Sequence, residues 1–167
     1  QNTRGFVPNS ILTMQRRPAI AQAFMDLNRA VLYEGTVTEE LKMLVSLVTS
    51  QASGCRYCQA HMTNLASIYQ SSDEKIRAVW EFETSPLFSP AERAALRLGY
   101  HAALVPNEAT SADFDELKQH FDEGQILELG NDPLGFADRA LADAPGDAEL
   151  VRYTVKLTST PAQVTAA

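Results

Sequence analysis

Cysteine is almost missing from this 167-residue chain: there are two, Cys55 and Cys58, three positions apart. Two are too few for the disulfide framework of a secreted domain. The pair therefore points to a reducing compartment, with the cytoplasm as the default, and to redox or metal chemistry. Positive charge is also short. The 14 Lys and Arg face 21 Asp and Glu, a formal net charge of -7, and a field of that sign repels phosphate backbones and anionic headgroups, which argues against nucleic acid and membrane surfaces as partners. Long hydrophobic runs are lacking: no segment approaches the roughly 20 apolar residues of a membrane span, and the first residues hold no apolar run of the signal-peptide kind. The sequence opens on Gln1 rather than methionine, which leaves room for a trimmed upstream segment. Internal repeats and low-complexity runs are missing as well.

What is present is helical periodicity in a chain long enough, at 45% hydrophobic residues, to bury one sizeable core. From Arg17 to Tyr33, Ile20, Phe24, Leu27 and Val31 recur at spacings of three and four, which predicts a helix with that stripe buried; Pro18 suits its first turn. In TEELKMLVSLVTSQA, Thr38 reads as an N-cap, Glu39 and Glu40 as first-turn acids, and Leu41, Leu44, Val45 and Val48 as the inward stripe. Gly54 interrupts, and a third helix is expected from Cys55 to Tyr69. A fourth is expected over DEKIRAVWEFE. Ser89, Pro90 and Glu92 start a fifth, with a capping box, that runs to Leu104. Thr110 to Phe121 and a shorter stretch from Leu134 to Ala142 complete the helical set. In AELVRYTVKLTST, by contrast, Val151, Tyr153, Val155 and Leu157 alternate with polar residues, as in a strand, which either pairs across an oligomer or is an extended arm. The expected organisation is a helical domain over 1–143 and a tail or arm over 144–167.

The chemistry concentrates in SGCRYCQAH, residues 53–61. Positions three and four apart share one side of a helix, so Cys55, Cys58 and His61 (or Met62) fall on one face, and the two sulfurs come close enough for a disulfide. A helix start stabilises a thiolate through its free amides and dipole, and Arg56 adds positive charge. Such a thiolate attacks a peroxide, becomes a sulfenic acid, and is resolved to a disulfide by its neighbour. His61 would accept or relay the proton. Other readings stay open at this point: half of a zinc site, with His61 as third ligand and an acid or a partner subunit as fourth, or two buried cysteines without chemistry. His61 also reads as a surface or cap residue. His101 and His120 read as structural, and Trp80, Phe82 and Phe88 as core or interface aromatics.

The segment LKMLVSLVTSQASGCRYCQAHM resembles the signature of the alkylhydroperoxidase D-like branch of the carboxymuconolactone decarboxylase superfamily, in which one helix leads to a CxxC turn opening the next. FVPNSILTMQRRP, WEFETSPLFSPAERAALRL and FDEGQILEL are similar to peroxidase-related members of that branch, so the likeness runs from Gly5 to Leu129, with a weaker continuation over Asp132 to Ala142. It implies an all-α domain assembled as a homo-trimer or homo-hexamer, with no cofactor and no metal, that reduces small organic hydroperoxides. By position, Cys58 would be the peroxidatic thiol, Cys55 the resolving one, and His61 part of a relay activating Cys58. A lipoylated or thioredoxin-like dithiol protein would return the disulfide to thiols. Decarboxylation is not implied, because that branch is not defined by the cysteine pair.

Three departures bear on these expectations. Met43 stands twelve positions before Cys55, where the best-characterised hydroperoxidases have a glutamate, and a thioether relays no proton; Glu39, one turn earlier, is the candidate substitute. The histidine falls three residues after Cys58 instead of four, where Met62 stands. After FDEGQILEL the family usually continues in a long apolar helix, whereas Gly130, Asp132 and Pro133 break the pattern here. A shortened core predicts low stability or an obligate oligomer. The first two departures motivate an alternative from another class: a non-catalytic oligomer switched by the Cys55–Cys58 disulfide.

Overall fold

A computed structural model describes residues 9–130. The helix expected over 134–142, the strand or arm over 151–158 and the domain boundary at 143/144 lie outside the described residues. Those described form an all-α fold: α1 (Asn9–Met14), α2 (Pro18–Tyr33), α3 (Glu39–Ala52), α4 (Arg56–Ile68), α5 (Asp73–Ala78), α6 (Pro90–Ala103), α7 (Ser111–Leu117) and α8 (Glu123–Gly130), with a 3₁₀ turn at Val79–Glu81.

The centre of the fold is α3. Thr38 caps it, its side chain accepting from the Leu41 amide at 3.3 Å. Every residue from Leu41 to Ser50 is buried, because α2, α4 and α6 all pack on this one helix. The expected stripe of four inward residues is therefore too narrow; a helix enclosed by neighbours buries its polar face as well. Lys42, Ser46, Thr49 and Ser50 are the polar residues enclosed. Gly99 lets α6 approach closely: a Cβ there would stand 3.0 Å from Val45 Cγ1 and 3.2 Å from Thr49 Oγ1. Thr49 Oγ1 already donates to the Gly99 carbonyl at 3.3 Å. Gly99→Ala should accordingly cost about 1–3 kcal/mol by overpacking; an unchanged midpoint in urea unfolding would contradict the close approach.

The sequence locates α2 correctly but not its covered face. Ala21 and Leu32 are buried, Phe24 and Val31 half-buried, while Ile20 and Leu27 are 54% and 53% exposed. Periodicity reports that a helix has an apolar face; which neighbour covers it is a tertiary matter. The DEKIRAVWEFE segment is likewise not one helix: α5 gives way to the 3₁₀ turn, which directs Val79 and Phe82 inward and leaves Trp80 43% exposed. The helix expected from Thr110 to Phe121 stops at Leu117. A new cap follows, with Asp122 Oδ1 accepting from the Gln125 amide at 2.8 Å and Gln125 Oε1 accepting from the Asp122 amide at 3.0 Å. That D-x-x-Q pattern was a legible start signal for α8.

Two further joints fix the chain path. Where α4 ends, Gln70 adopts φ 70°, the Ser71 amide donates to the Ala66 carbonyl at 3.0 Å, and the Gln70 amide to Ser67 at 3.3 Å. This left-handed position suits glycine, and Gln70→Gly should stabilise the fold by roughly 0.5–1 kcal/mol, since the relieved strain exceeds glycine's extra chain entropy. A lowered melting temperature would refute this. At the other joint, Glu128 of α8 is clamped to the loop between α2 and α3. Its carboxylate accepts from the Thr36 amide at 2.9 and 3.1 Å and the Val37 amide at 3.0 Å, and pairs with Lys42 Nζ at 3.0 Å.

Candidate functional site

The cysteine turn is built by the way α3 ends. The Cys55 amide donates to the Ser50 carbonyl at 3.0 Å and the Gly54 amide to the Gln51 carbonyl at 2.8 Å, with Gly54 at φ 70°. This pair of bonds with a left-handed glycine is a Schellman motif. Cys55 closes it and at the same time is the N-cap of α4, its Sγ accepting from the Cys58 amide at 3.3 Å. One residue thus ends the buried helix and starts the next. The Ser50 carbonyl gathers the junction, accepting also from Ser53 Oγ at 3.1 Å and Gln59 Nε2 at 3.4 Å.

Cys55 and Cys58 are joined as a disulfide, with Cα atoms 5.3 Å apart and both residues half-buried. The sulfurs lie at the α4 N-terminus, whose first turn carries no acidic residue. A thiolate released there meets helix amides and the positive end of the dipole, with no nearby first-turn carboxylate to oppose it. His61 stands three residues after Cys58 on α4, half-buried, its ring parallel within 7° to that of Tyr57 at a centroid distance of 6.0 Å. Tyr57 is 68% exposed, between the cysteines in sequence and over the imidazole in space. The sequence signal for this contact was the i, i+4 spacing of two aromatic rings on a helix. Met62, one position on, is buried in the core instead, so the two candidate relay positions have different surroundings.

Cys55 and Cys58 are thus placed at the start of α4, with His61 three residues after Cys58 on the same helix. Glu39 is not brought to the cysteines. It opens α3, exposed, whereas the cysteine turn lies beyond the last residue of that helix, about 20 Å along the axis at 1.5 Å per residue. Met43 is fully buried among core side chains. His101 makes a structural contact, Nδ1 to Asp113 Oδ1 at 3.1 Å, while Asp113 Oδ2 accepts from the Thr110 amide at 2.8 Å to cap α7. Phe82 and Phe88 are core residues. Among the described residues, no group of three or more His, Cys, Asp or Glu is placed to hold a metal ion. No described helix is long and apolar enough to cross a membrane.

An all-α fold with a CxxC disulfide between two packed helices defines the class, and comparison with known proteins gives the family. Residues 18–99 match the carboxymuconolactone decarboxylase family. The crystal structure of the debrominase Bmp8 superimposes with a TM-score of 0.72 at 34% identity, covering 77% of this chain and 69% of that one. A cysteine-to-alanine variant of Bmp8 in complex with 2,3,4-tribromopyrrole gives the same TM-score at 33% identity. The alkylhydroperoxidase AhpD core of an uncharacterized peroxidase-related protein from Ralstonia eutropha JMP134 gives 0.64 at 27% identity, over 77% of this chain and 69% of that one. Uncharacterized protein YnjA of Escherichia coli is 32% identical over 53% of this chain, and YdfG of Bacillus subtilis 25% over 58%. The matched stretch spans 49% of YnjA and 66% of YdfG. The chain belongs to the carboxymuconolactone decarboxylase family, in its AhpD-like branch.

Proposed function

We propose that this protein is a thiol-dependent peroxidase of small organic hydroperoxides. The observation that carries the reading is the half-buried Cys55–Cys58 disulfide at the start of α4, with His61 three residues further along the same helix. In the reduced protein, the Cys58 thiolate attacks the distal peroxide oxygen; the O–O bond breaks, the alcohol leaves after protonation, and Cys58 becomes a sulfenic acid. Cys55 then attacks that sulfur, forming the disulfide and releasing water. Two thiols are oxidised by two electrons and one hydroperoxide is reduced to alcohol and water. His61 takes the thiol proton and returns it to the departing oxygen. A dithiol protein, lipoylated or thioredoxin-like, restores the thiols by exchange at the exposed turn. The protein acts in the cytoplasm as a homo-oligomer.

The deciding experiment adds one equivalent of cumene hydroperoxide to reduced protein and follows the loss of two hydrogens by mass spectrometry. Rapid stoichiometric disulfide formation supports the reading, and thiols that stay reduced under excess peroxide overturn it.

A second reading, reductive removal of bromine from a bromopyrrole, is favoured by the 34% identity to a debrominase and by buried Met43 at the position of the hydroperoxidase glutamate. The electron count is the same: a thiolate takes the bromine as the carbon is protonated, and the second cysteine displaces bromide to form the disulfide. Bromide release from 2,3,4-tribromopyrrole by reduced protein, with no consumption of hydroperoxide, would select it.

A further inference from the structure

Helix α2 carries an apolar stripe that the described residues cover only in part. Ile20, Phe24, Leu27 and Val31 lie on one narrow face; Phe24 and Val31, at its inner edge, are half-buried, while Ile20 and Leu27 are open. The described chain ends beside this stripe. Val31 and Leu32 line a small cleft together with Glu128 and Leu129 of α8. The clamp of Glu128 on the Thr36 and Val37 amides and on Lys42 holds that exit in place.

Residues 131–167 follow, and the first of them are apolar at a helical spacing. In LGFADRALA, residues 134–142, Leu134, Ala137 and Leu141 fall at i, i+3 and i+7 with Ala140 beside them; at the same spacing Asp138 flanks Leu134, and Arg139 falls on the other side. The lengths agree. Ile20 to Val31 spans about 16 Å and nine helical residues about 13 Å, while residues 131–133 reach roughly 10 Å. We propose that residues 134–142 of the same chain dock on the α2 stripe and complete the core that α8 leaves open. A short tether supplies the segment at an effective concentration of order millimolar, so it competes well against a second copy of the chain at ordinary protein concentrations.

Hydrogen exchange of the full chain, read by mass spectrometry, tests this with two variants. In the unsubstituted protein, α2 amides should be protected equally at low and high protein concentration. L134D/L141D should speed exchange in residues 18–33 by roughly tenfold or more while α3 and α6 keep their protection. Leu27→Asp should in turn speed exchange in 134–142, a readout that stands even if the double variant does not fold. The proposal is overturned if α2 exchange ignores the double variant, or if Leu27→Asp leaves 134–142 unchanged. It is equally overturned if α2 protection rises with protein concentration and a photo-crosslinker at position 27 joins light and heavy copies, since a second copy would then be the cover.

Discussion

Cys58→Ser is expected to reduce hydroperoxide consumption to the uncatalysed background, because serine keeps the shape of the turn and removes the only sulfur that the proposed cycle oxidises first. The partner variant separates the two roles. Cys55→Ser should react once and stop, leaving a Cys58 sulfenic acid that dimedone captures, since no neighbouring thiol remains to resolve it. His61→Ala should slow the oxidation step by about 10²–10⁴-fold, the usual range for a positioned general base. Full turnover in Cys58→Ser would end the peroxidase reading. Capture of sulfenic acid on Cys55 in Cys58→Ser, at the normal rate, would exchange the two cysteines' roles while keeping the chemistry.

Glu128→Ala should destabilise the fold by about 3 kcal/mol, because it leaves the buried Lys42 ammonium without its carboxylate and the Thr36 and Val37 amides without an acceptor. For a domain of this size that corresponds to a melting temperature lower by roughly 10 °C. The same clamp sets the acid limb of stability. Partial burial pushes the Glu128 carboxyl upward, but the Thr36 and Val37 amides and Lys42 outweigh it and hold it below its ordinary value. A carboxyl lower in the folded than in the unfolded state stabilises above its unfolded value of about 4.3, and that contribution is lost as pH falls through the folded value. Glu92, buried in part yet bonded to Lys75 and to Ser89, is lowered in the same way and adds to the same limb. Glu128→Gln should therefore flatten the loss of stability below about pH 4; a curve parallel to that of the unsubstituted protein would show that Glu128 does not titrate with folding. Gly35 belongs to this clamp. At φ 96°, with Glu128 Cδ 2.3 Å from where a Cβ would stand, Gly35→Ala would expel the carboxylate and reproduce much of the loss.

Local patterns made much of this legible. Thr38, Ser89 with Pro90 and Glu92, and the glycine before Cys55 each act on neighbours within a few residues, so their roles as caps and as a turn follow from sequence spacing alone. The CxxC spacing allowed a disulfide for the same reason, beside a zinc site and two inert buried cysteines, and the structure shows the disulfide. Alpha 8 was missed although its Asp122–Gln125 cap was present, because eight residues give too little periodicity to stand out. The half-exposed α2 stripe and the burial of α3 on every side from Leu41 to Ser50 could not be read, since amphipathicity measures a helix against water and not against the neighbours that replace it.

The sequence by itself determined the long helices α2, α3, α4 and α6, the position of the cysteine pair at a helix start, and the membership that its motifs announce. Only the tertiary structure decided that Glu39 lies a helix length from the cysteines, that Met62 turns into the core while His61 stacks on Tyr57, and that Glu128 reaches back to Lys42. The reason is range: caps and i, i+4 contacts are fixed by the chain's own geometry, whereas Glu128 and Lys42, 86 positions apart, meet only because α8 comes to rest against the loop that precedes α3.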